Sequence, residues 1–298
     1  MIFLLLLFHL TPFSADRVEI IKEDNESIVH LVGNVVFEDT VTRITCREAH
    51  LYESRNYVLL QGDVDISDKN GVIQSSSARY DFKERKGYLS GGVSLETKND
   101  ELIHSDSLYY DGVAGLIEFF GEIKLEDRKN DLIGYGNRGA YDLKNDEGYL
   151  LGEPRLEILR EEKEPIKINA REFRLDSGDN LFQGIDSVVT IIDSITVYCD
   201  TMYYNLKEHS GRMVKPCVFE KKNELYGETG EFRMKSQKLD FFSVENGWSK
   251  YYTEEGTKNV VEGERIRILF KEDRASKIIV EGKPKGVLTL RAEEDAAD

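Results

Sequence analysis

The chain has 298 residues, 40% of them hydrophobic, and carries a formal net charge of −16. That charge argues against a nucleic-acid partner, which would need basic stripes to neutralise phosphates; the acid excess reads as a solubilising surface. Cys46, Cys199 and Cys217 include no Cys-x-x-Cys pair, so they offer no zinc or redox motif.

In chain order, the apolar run Ile2–Leu10 comes first. It is shorter than the roughly 20 residues a membrane-spanning helix takes. With Thr11-Pro12-Phe13-Ser14-Ala15 behind it, the stretch 1–15 reads as a secretory signal peptide cut after Ala15, which implies export. No Lys or Arg precedes the run and Phe13 fits the minus-three position poorly; the other reading is a buried first strand. Residues 18–21 and 28–31 then read as an entry hairpin around a Glu23–Asn25 turn, and Gly33–Phe37 opens the first recognisable unit.

The pattern is clearest over Tyr57–Leu95. Leu60, Gly62, Val64 and Ile66 stand two apart and share one face of a strand, while Gln61, Asp63 and Asp65 take the other. Asp68-Lys69-Asn70-Gly71 reads as a turn. A second strand carries Ala78, Tyr80 and Phe82, Lys83–Gly87 turns again, and the frame returns as Leu89, Gly91, Val93 and Leu95. It recurs as Phe119, Gly121, Ile123, Leu125, then as Leu150, Gly152, Pro154, Leu156, and more loosely at Phe182 and Gly184. The gaps between Gly62, Gly91, Gly121, Gly152 and Gly184 are 29, 30, 31 and 32 residues. A tyrosine-acid pair marks the second strand of each unit at Tyr52-Glu53, Tyr80-Asp81, Tyr110-Asp111 and Tyr141-Asp142. Such a period predicts an all-β array of about eight repeats of about 30 residues, each burying its apolar face against its neighbours.

Arg160–Pro165 (REEKEP) reads as an enlarged loop or a joint, dividing a regular half, 16–160, from a diverged half, 161–291. Beyond it Ile185–Val197 is a longer apolar stretch, Lys215–Phe219 stands in place of a glycine frame, and Trp248–Gly256 reads as a longer loop. Gly282–Leu290 opens a last partial unit, and 292–298 form an acidic tail expected to be disordered.

Glycine inside a strand marks a sharp bend, a bulge or a close approach. Gly62, Gly91, Gly121 and Gly152, at one level of successive strands, would line an inner crease along which the sheet curls over an apolar inside. Cys46 and Cys199 hold similar places in their repeats and read as small buried residues. In an exported protein Cys199 could instead bridge to Cys217. No carboxylate pair stands out for glycoside hydrolysis. His9, His30, His50, His104 and His209 show no ligand spacing, and neighbours His104, Ser105 and Asp106 point to alternate faces of a strand. The expectation is therefore a protein that is not an enzyme and has no cofactor and no metal site.

The recurring Gly-x-Val frame, the Ala78-Arg79-Tyr80-Asp81 element and the Gly-Tyr-Leu-x-Gly elements at 87–91 and 148–152 resemble the OstA-like (LptA) family of periplasmic lipopolysaccharide-transport proteins. The resemblance covers about 33–184 strongly and runs on more weakly to about 290. It implies an antiparallel β-jelly roll, or curled β-solenoid, whose apolar groove holds lipid A acyl chains and relays lipopolysaccharide toward the outer membrane. It implies as partners other OstA-like jelly rolls, added end to end by strand pairing at a sheet edge, with homo-oligomers among the options. The inward candidates for lipid contact are Leu60, Val64, Ile66, Leu89, Val93, Leu95, Phe119, Ile123, Leu125, Leu150 and Leu156. On this reading Leu125→Glu or Phe119→Asp stops lipid binding and leaves the fold intact. The competing reading is a structural or adhesive β-repeat protein of the cell envelope whose inside is filled by its own side chains.

Overall fold

Alternation, mid-strand glycines and Asp/Asn-rich turns place the same strand-bend-strand-turn unit along the chain, and the computed structural model follows it. It describes residues 12–23, 26–38, 42–68, 71–81, 83–98, 100–253, 256–271 and 274–289. The signal-peptide reading at 1–15 falls almost wholly outside these residues, as do the centres of the 23–25 and 68–71 turns, Phe82 and the acidic tail at 292–298. The chain forms two compact units, 1–146 and 147–298. One 3₁₀ turn, Glu53–Arg55, is the helical element among the described residues.

Unit 1 is an antiparallel meander of β1 (Phe13–Ser14), β2 (Arg17–Glu23), β3 (Glu26–Glu38), β4 (Arg43–Tyr52), β5 (Tyr57–Asp68), β6 (Gly71–Asp81), β7 (Lys86–Thr97), β8 (Glu101–Asp111), β9 (Leu116–Asp127) and β10 (Leu132–Asp142). From β3 to β10 each strand pairs with the next. β2 and β1 together line the free side of β3, pairing with its first and second halves.

Every pairing from β3 to β10 slips register once, in the middle. Against β6, Gln61 faces Ser77 and Val64 faces Ser75, so Gly62 and Asp63 together oppose Ser76. This is a β-bulge, which bends a strand and increases its twist. Gly62 (φ +75°), Gly91 (+85°), Gly121 (+88°) and Gly152 (+79°) all sit at such bends with left-handed backbone, as does Gly33 (+77°). The residue after the glycine is left-handed too at Asn34 (+46°), Asp63 (+49°), Gly92 (+77°) and Glu153 (+57°). Two left-handed residues in sequence turn the bulge outward, so that Leu60 and Val64 on either side both point in.

The glycines therefore lie on the outer side of the bend, where the sequence reading had put them inside. A Cβ on Gly62 would meet the exposed Arg47 side chain, and one on Gly121 would meet Asp106. That outer edge is polar: Arg47 pairs with Asp63 at 3.1 Å, Ser76 Oγ donates to Gly91 O at 2.6 Å, and Asp106 accepts from Glu122 N at 3.2 Å. On the inner side of the same bend stand small residues whose side chains bond to the carbonyl two positions on. Cys46 Sγ donates to Glu48 O, Ser75 Oγ to Ser77 O and Ser105 Oγ to Ser107 O, at 3.1–3.2 Å.

The tyrosine-acid marker has a local cause. The acid accepts turn amides in an Asx-type turn: Asp81 from Glu84 N, Asp111 from Val113 and Ala114 N, Asp142 from Lys144 and Asn145 N, at 2.8–3.2 Å. The Ala114 and Val113 amides hold the Asp111 carboxyl below its ordinary range, and those of Lys144 and Asn145 do the same for Asp142.

Unit 2 repeats the scheme with shorter pieces, because the bend often breaks a strand in two. It comprises β11 (Glu147–Leu151), β12 (Arg155–Arg160), β13 (Lys163–Asn169), β14 (Glu172–Asp176), β15 (Leu181–Ile192), β16 (Ile195–Asn205), β17 (Ser210–Val214), β18 (Cys217–Glu220), β19 (Asn223–Tyr226), β20 (Thr229–Lys235), β21 (Lys238–Tyr252), β22 (Lys258–Lys271), β23 (Arg274–Glu281) and β24 (Lys285–Thr289). Four sequence readings are corrected here. Arg160–Pro165 is the close hairpin between β12 and β13, held by the buried Arg160, which donates to Glu164 O at 2.8 Å and pairs with Asp193 at 2.7 Å. Gly184 is buried beside Phe173 and Val188 in β15, and the bend falls on Asp186 (φ +60°) and Ser187 (+54°). Aspartate reaches the left-handed region more readily than most residues, so the bend there needs no glycine. Trp248 lies in β21, not a loop, stacked on Tyr226 at 4.6 Å where β19 pairs with β21. Cys217 pairs across the ladder with Tyr198, so its side chain leaves on the exposed face while the adjacent Cys199 turns inward; both thiols are free.

Candidate functional site

The registers of unit 1 join the inward residues into rows that cross the sheet. One row runs Leu31, Ala49, Leu60, Ala78, Leu89, Leu108, Phe119. On the other side of the bend a second row runs Phe37, Ile44, Ile66, Ile73, Leu95, Ile103, Leu125. Large side chains on β3, β5, β7 and β9 alternate with Ala49 and Ala78 on β4 and β6, so the first row interlocks. Leu31, Leu60 and Leu108 are fully buried. A side chain on one face of a sheet is buried only if something covers that face, and in unit 1 the described residues are the meander itself. The two halves of each bent strand therefore cover one another, and the bend closes an apolar interior between two wings.

Beside the bend burial is tight throughout, and toward the hairpin ends it loosens at some strands only: Phe37 and Val58 stay 3% and 0% exposed. Leu60, Val64, Leu89 and Val93 are 0–2% exposed, Ile123 3% and Phe119 4%. Leu95 reaches 7% and Ile103 9%, and Ile66, Ile73 and Leu125 are half-buried. On the other wing Tyr80, Tyr110 and Tyr141 are half-buried, while their row neighbours Val58 and Ile117 are 0% and 5% exposed. Of the eleven sequence-derived groove residues, nine lie on this inner face of unit 1. Leu150 and Leu156 belong to unit 2, half-buried on β11 and buried on β12. The sequence list omitted the inward residues of the even-numbered strands, above all Ala49, Leu108, Ile73 and Ile103. Their signal was the alternation that had already marked Ala78 and Tyr80.

Phe119→Asp is not the fold-preserving probe expected from sequence. At 4% exposure it would bury a carboxylate without a partner. Leu125, at the rim, can turn a polar group to water. The interior has little polar chemistry of its own, since Cys46, Ser75 and Ser105 spend their donors on their own strands. Burial pushes the Cys46 thiol up to about 11 and the Cys199 thiol up to about 12, so neither is an activated nucleophile.

At the start of the sheet the interior is open. Val18 and Ile20 on β2 pair with the buried Leu31 and Val29 yet are 49% and 69% exposed, and Phe13 on β1 is 44% exposed. Among the described residues β2 has β3 as its one strand partner, leaving its other edge unpaired.

No curated protein matches the chain. It is similar to the crystal structure of LptH, the LptA-homologous periplasmic component of the conserved lipopolysaccharide transport device from Pseudomonas aeruginosa. That match has 13% identity, covers 37% of this chain and 82% of that one, and has a TM-score of 0.34. The OstA-like protein family matches residues 10–156, which take in the whole described meander of unit 1. Over that stretch the chain is similar to the OstA-like family.

Proposed function

We propose that the protein is a non-catalytic lipid carrier of the cell envelope. Its inner apolar face accepts the acyl chains of an amphipathic lipid, lipopolysaccharide by the family resemblance, and relays it across the periplasm. The observation that carries this reading is the pair of apolar rows that cross β3 to β9 on either side of the bend, the outer one half-buried at Ile66, Ile73 and Leu125. Each acyl CH₂ taken from water contributes about 0.8 kcal/mol, so a continuous rim of Ile66, Ile73, Leu95, Ile103 and Leu125 offers a chain favourable contact along its length. The contact surface in this reading is the rim; Leu60, Val64, Leu89, Val93, Phe119 and Ile123 form the packed floor. The unpaired edge of β2, with Phe13, Val18 and Ile20 exposed, suits strand addition by a second β-jelly roll.

A second reading, a structural repeat protein with no lipid, draws on the full burial of Leu60 and Val64 near the bend. The two separate in one experiment. The chain is purified from an envelope-containing host and examined by native mass spectrometry and lipid extraction, beside Leu125→Glu and Ile66→Glu. Co-purifying acyl lipid that both variants lose, with unchanged circular dichroism, supports the carrier. A lipid-free chain that takes up no added lipopolysaccharide, or variants that load as the parent does, moves the conclusion to the structural reading.

A further inference from the structure

Glu19, His30 and His50 form one row across β2, β3 and β4: Glu19 pairs with His30, and His30 with His50. Val29, Leu31 and Ala49 beside them are buried inward, so alternation turns the two imidazoles to the outer face. The rings stack, centroids 4.2 Å apart and planes 10° from parallel. Glu48, on the same face of β4, brings Oε1 to 2.8 Å from His30 Nε2 and 3.8 Å from His50 Nε2. One ligand atom from each of His30, Glu48 and His50 lies within 4.8 Å of the other two. The His30 and His50 side chains are 15% and 25% exposed, so both are partly shielded from water.

We propose that His30, His50 and Glu48 bind one divalent transition-metal ion of the zinc class. Two imidazole nitrogens and a carboxylate oxygen are a donor set that zinc accepts, leaving a fourth position for water; calcium and magnesium prefer oxygen alone. The group that makes this more than proximity is Glu19. Its Oε2 lies 3.4 Å from His30 Nδ1, and its other oxygen is 3.3 Å from Arg17 Nε. A carboxylate at Nδ1 fixes the ring proton there and directs the Nε2 lone pair at the ion, as partners of metal-bound histidines do. Tetrahedral zinc at 2.0–2.1 Å sets its ligands about 3.3 Å apart. Side-chain rotation on an accessible face can bring the three donors in from 4.8 Å. The bound ion would clip β3 to β4 beside the open edge of the sheet.

The test uses the full chain stripped with chelator and dialysed against micromolar free Zn²⁺, with bound metal counted by mass spectrometry and Co²⁺ absorption as the coordination readout. One ion per chain is expected, with four-coordinate visible bands for Co²⁺. His50→Gln and Glu48→Gln should each weaken binding at least about 100-fold and abolish those bands. Glu19→Gln, which touches no ion, should keep the stoichiometry and weaken affinity about 10- to 100-fold. Circular dichroism of each variant checks the fold, and if one of the ligand variants unfolds the other carries the test. No uptake by the parent chain, or uptake by His50→Gln and Glu48→Gln equal to the parent's, overturns the site.

Discussion

Gly121→Ala tests the bend directly, because a neighbouring bend supplies its control. Gly121 has φ +88°, a conformation costing an L-residue about 1–2 kcal/mol. A Cβ there would also collide with the Asp106 carboxylate, the acceptor for Glu122 N. Displacing that acceptor removes a charge-assisted hydrogen bond at an exposed site, about 1 kcal/mol after solvent screening. The expected loss is about 2–3 kcal/mol. Gly92 is left-handed as well (φ +77°) but has open space where its Cβ would go. Gly92→Ala should therefore lose the backbone contribution alone, about 1–2 kcal/mol. Gly92→Asn should lose less than Gly92→Ala, since Asn34 holds the equivalent place in its own bend. Urea unfolding followed by circular dichroism, comparing midpoints at equal slope, measures all three. Equal losses for Gly121→Ala and Gly92→Ala would remove the steric half of the argument. A loss below about 0.5 kcal/mol for both would refute the claim that the bend needs left-handed backbone.

Leu108→Ala, in a fully buried row position, should cost about 2–5 kcal/mol, and Leu125→Ala at the half-buried rim clearly less; equal costs would contradict the difference in burial. A thiol reagent at pH 8 should modify Cys217 and spare Cys46 and Cys199 until urea is added, because both are buried; protection of Cys217 as well would point to the disulfide. Arg160 donates to Asp193 and holds its carboxyl below the ordinary range. The folded pKa thus lies below the unfolded value of about 3.9. The resulting stability is complete above that value and fades as pH falls through the folded one. Asp193→Asn should flatten the acid limb of stability below about pH 4 and cost about 1–2 kcal/mol at pH 7, since Asp193 is 40% exposed while Arg160 stays buried; an unchanged acid limb would rule this pair out as a source of it.

The sequence by itself determined the features that arise within a few residues. Side chains alternate along a strand, so Leu60, Val64 and Ile66 could be placed on one face without knowing what lay opposite. A bend with φ near +80° strongly favours glycine, so Gly33, Gly62, Gly91, Gly121 and Gly152 announced it. Aspartate at the strand end captures turn amides, so Asp81, Asp111 and Asp142 kept the period visible. Where a local rule has two solutions the reading failed: Asp186 and Ser187 bend β15 as glycine does elsewhere, and Gly184 misled by sitting two residues away. Trp248 and Arg160 look like loop residues until their partners Tyr226 and Asp193 are beside them.

Only the tertiary structure decided which inward residues form a sealed floor and which a half-open rim, because that depends on how far the two wings close, not on hydrophobicity. Only it brought His30, Glu48 and His50 together, since strand pairing sets residues twenty apart in sequence side by side through register, and register is a property of the whole ladder.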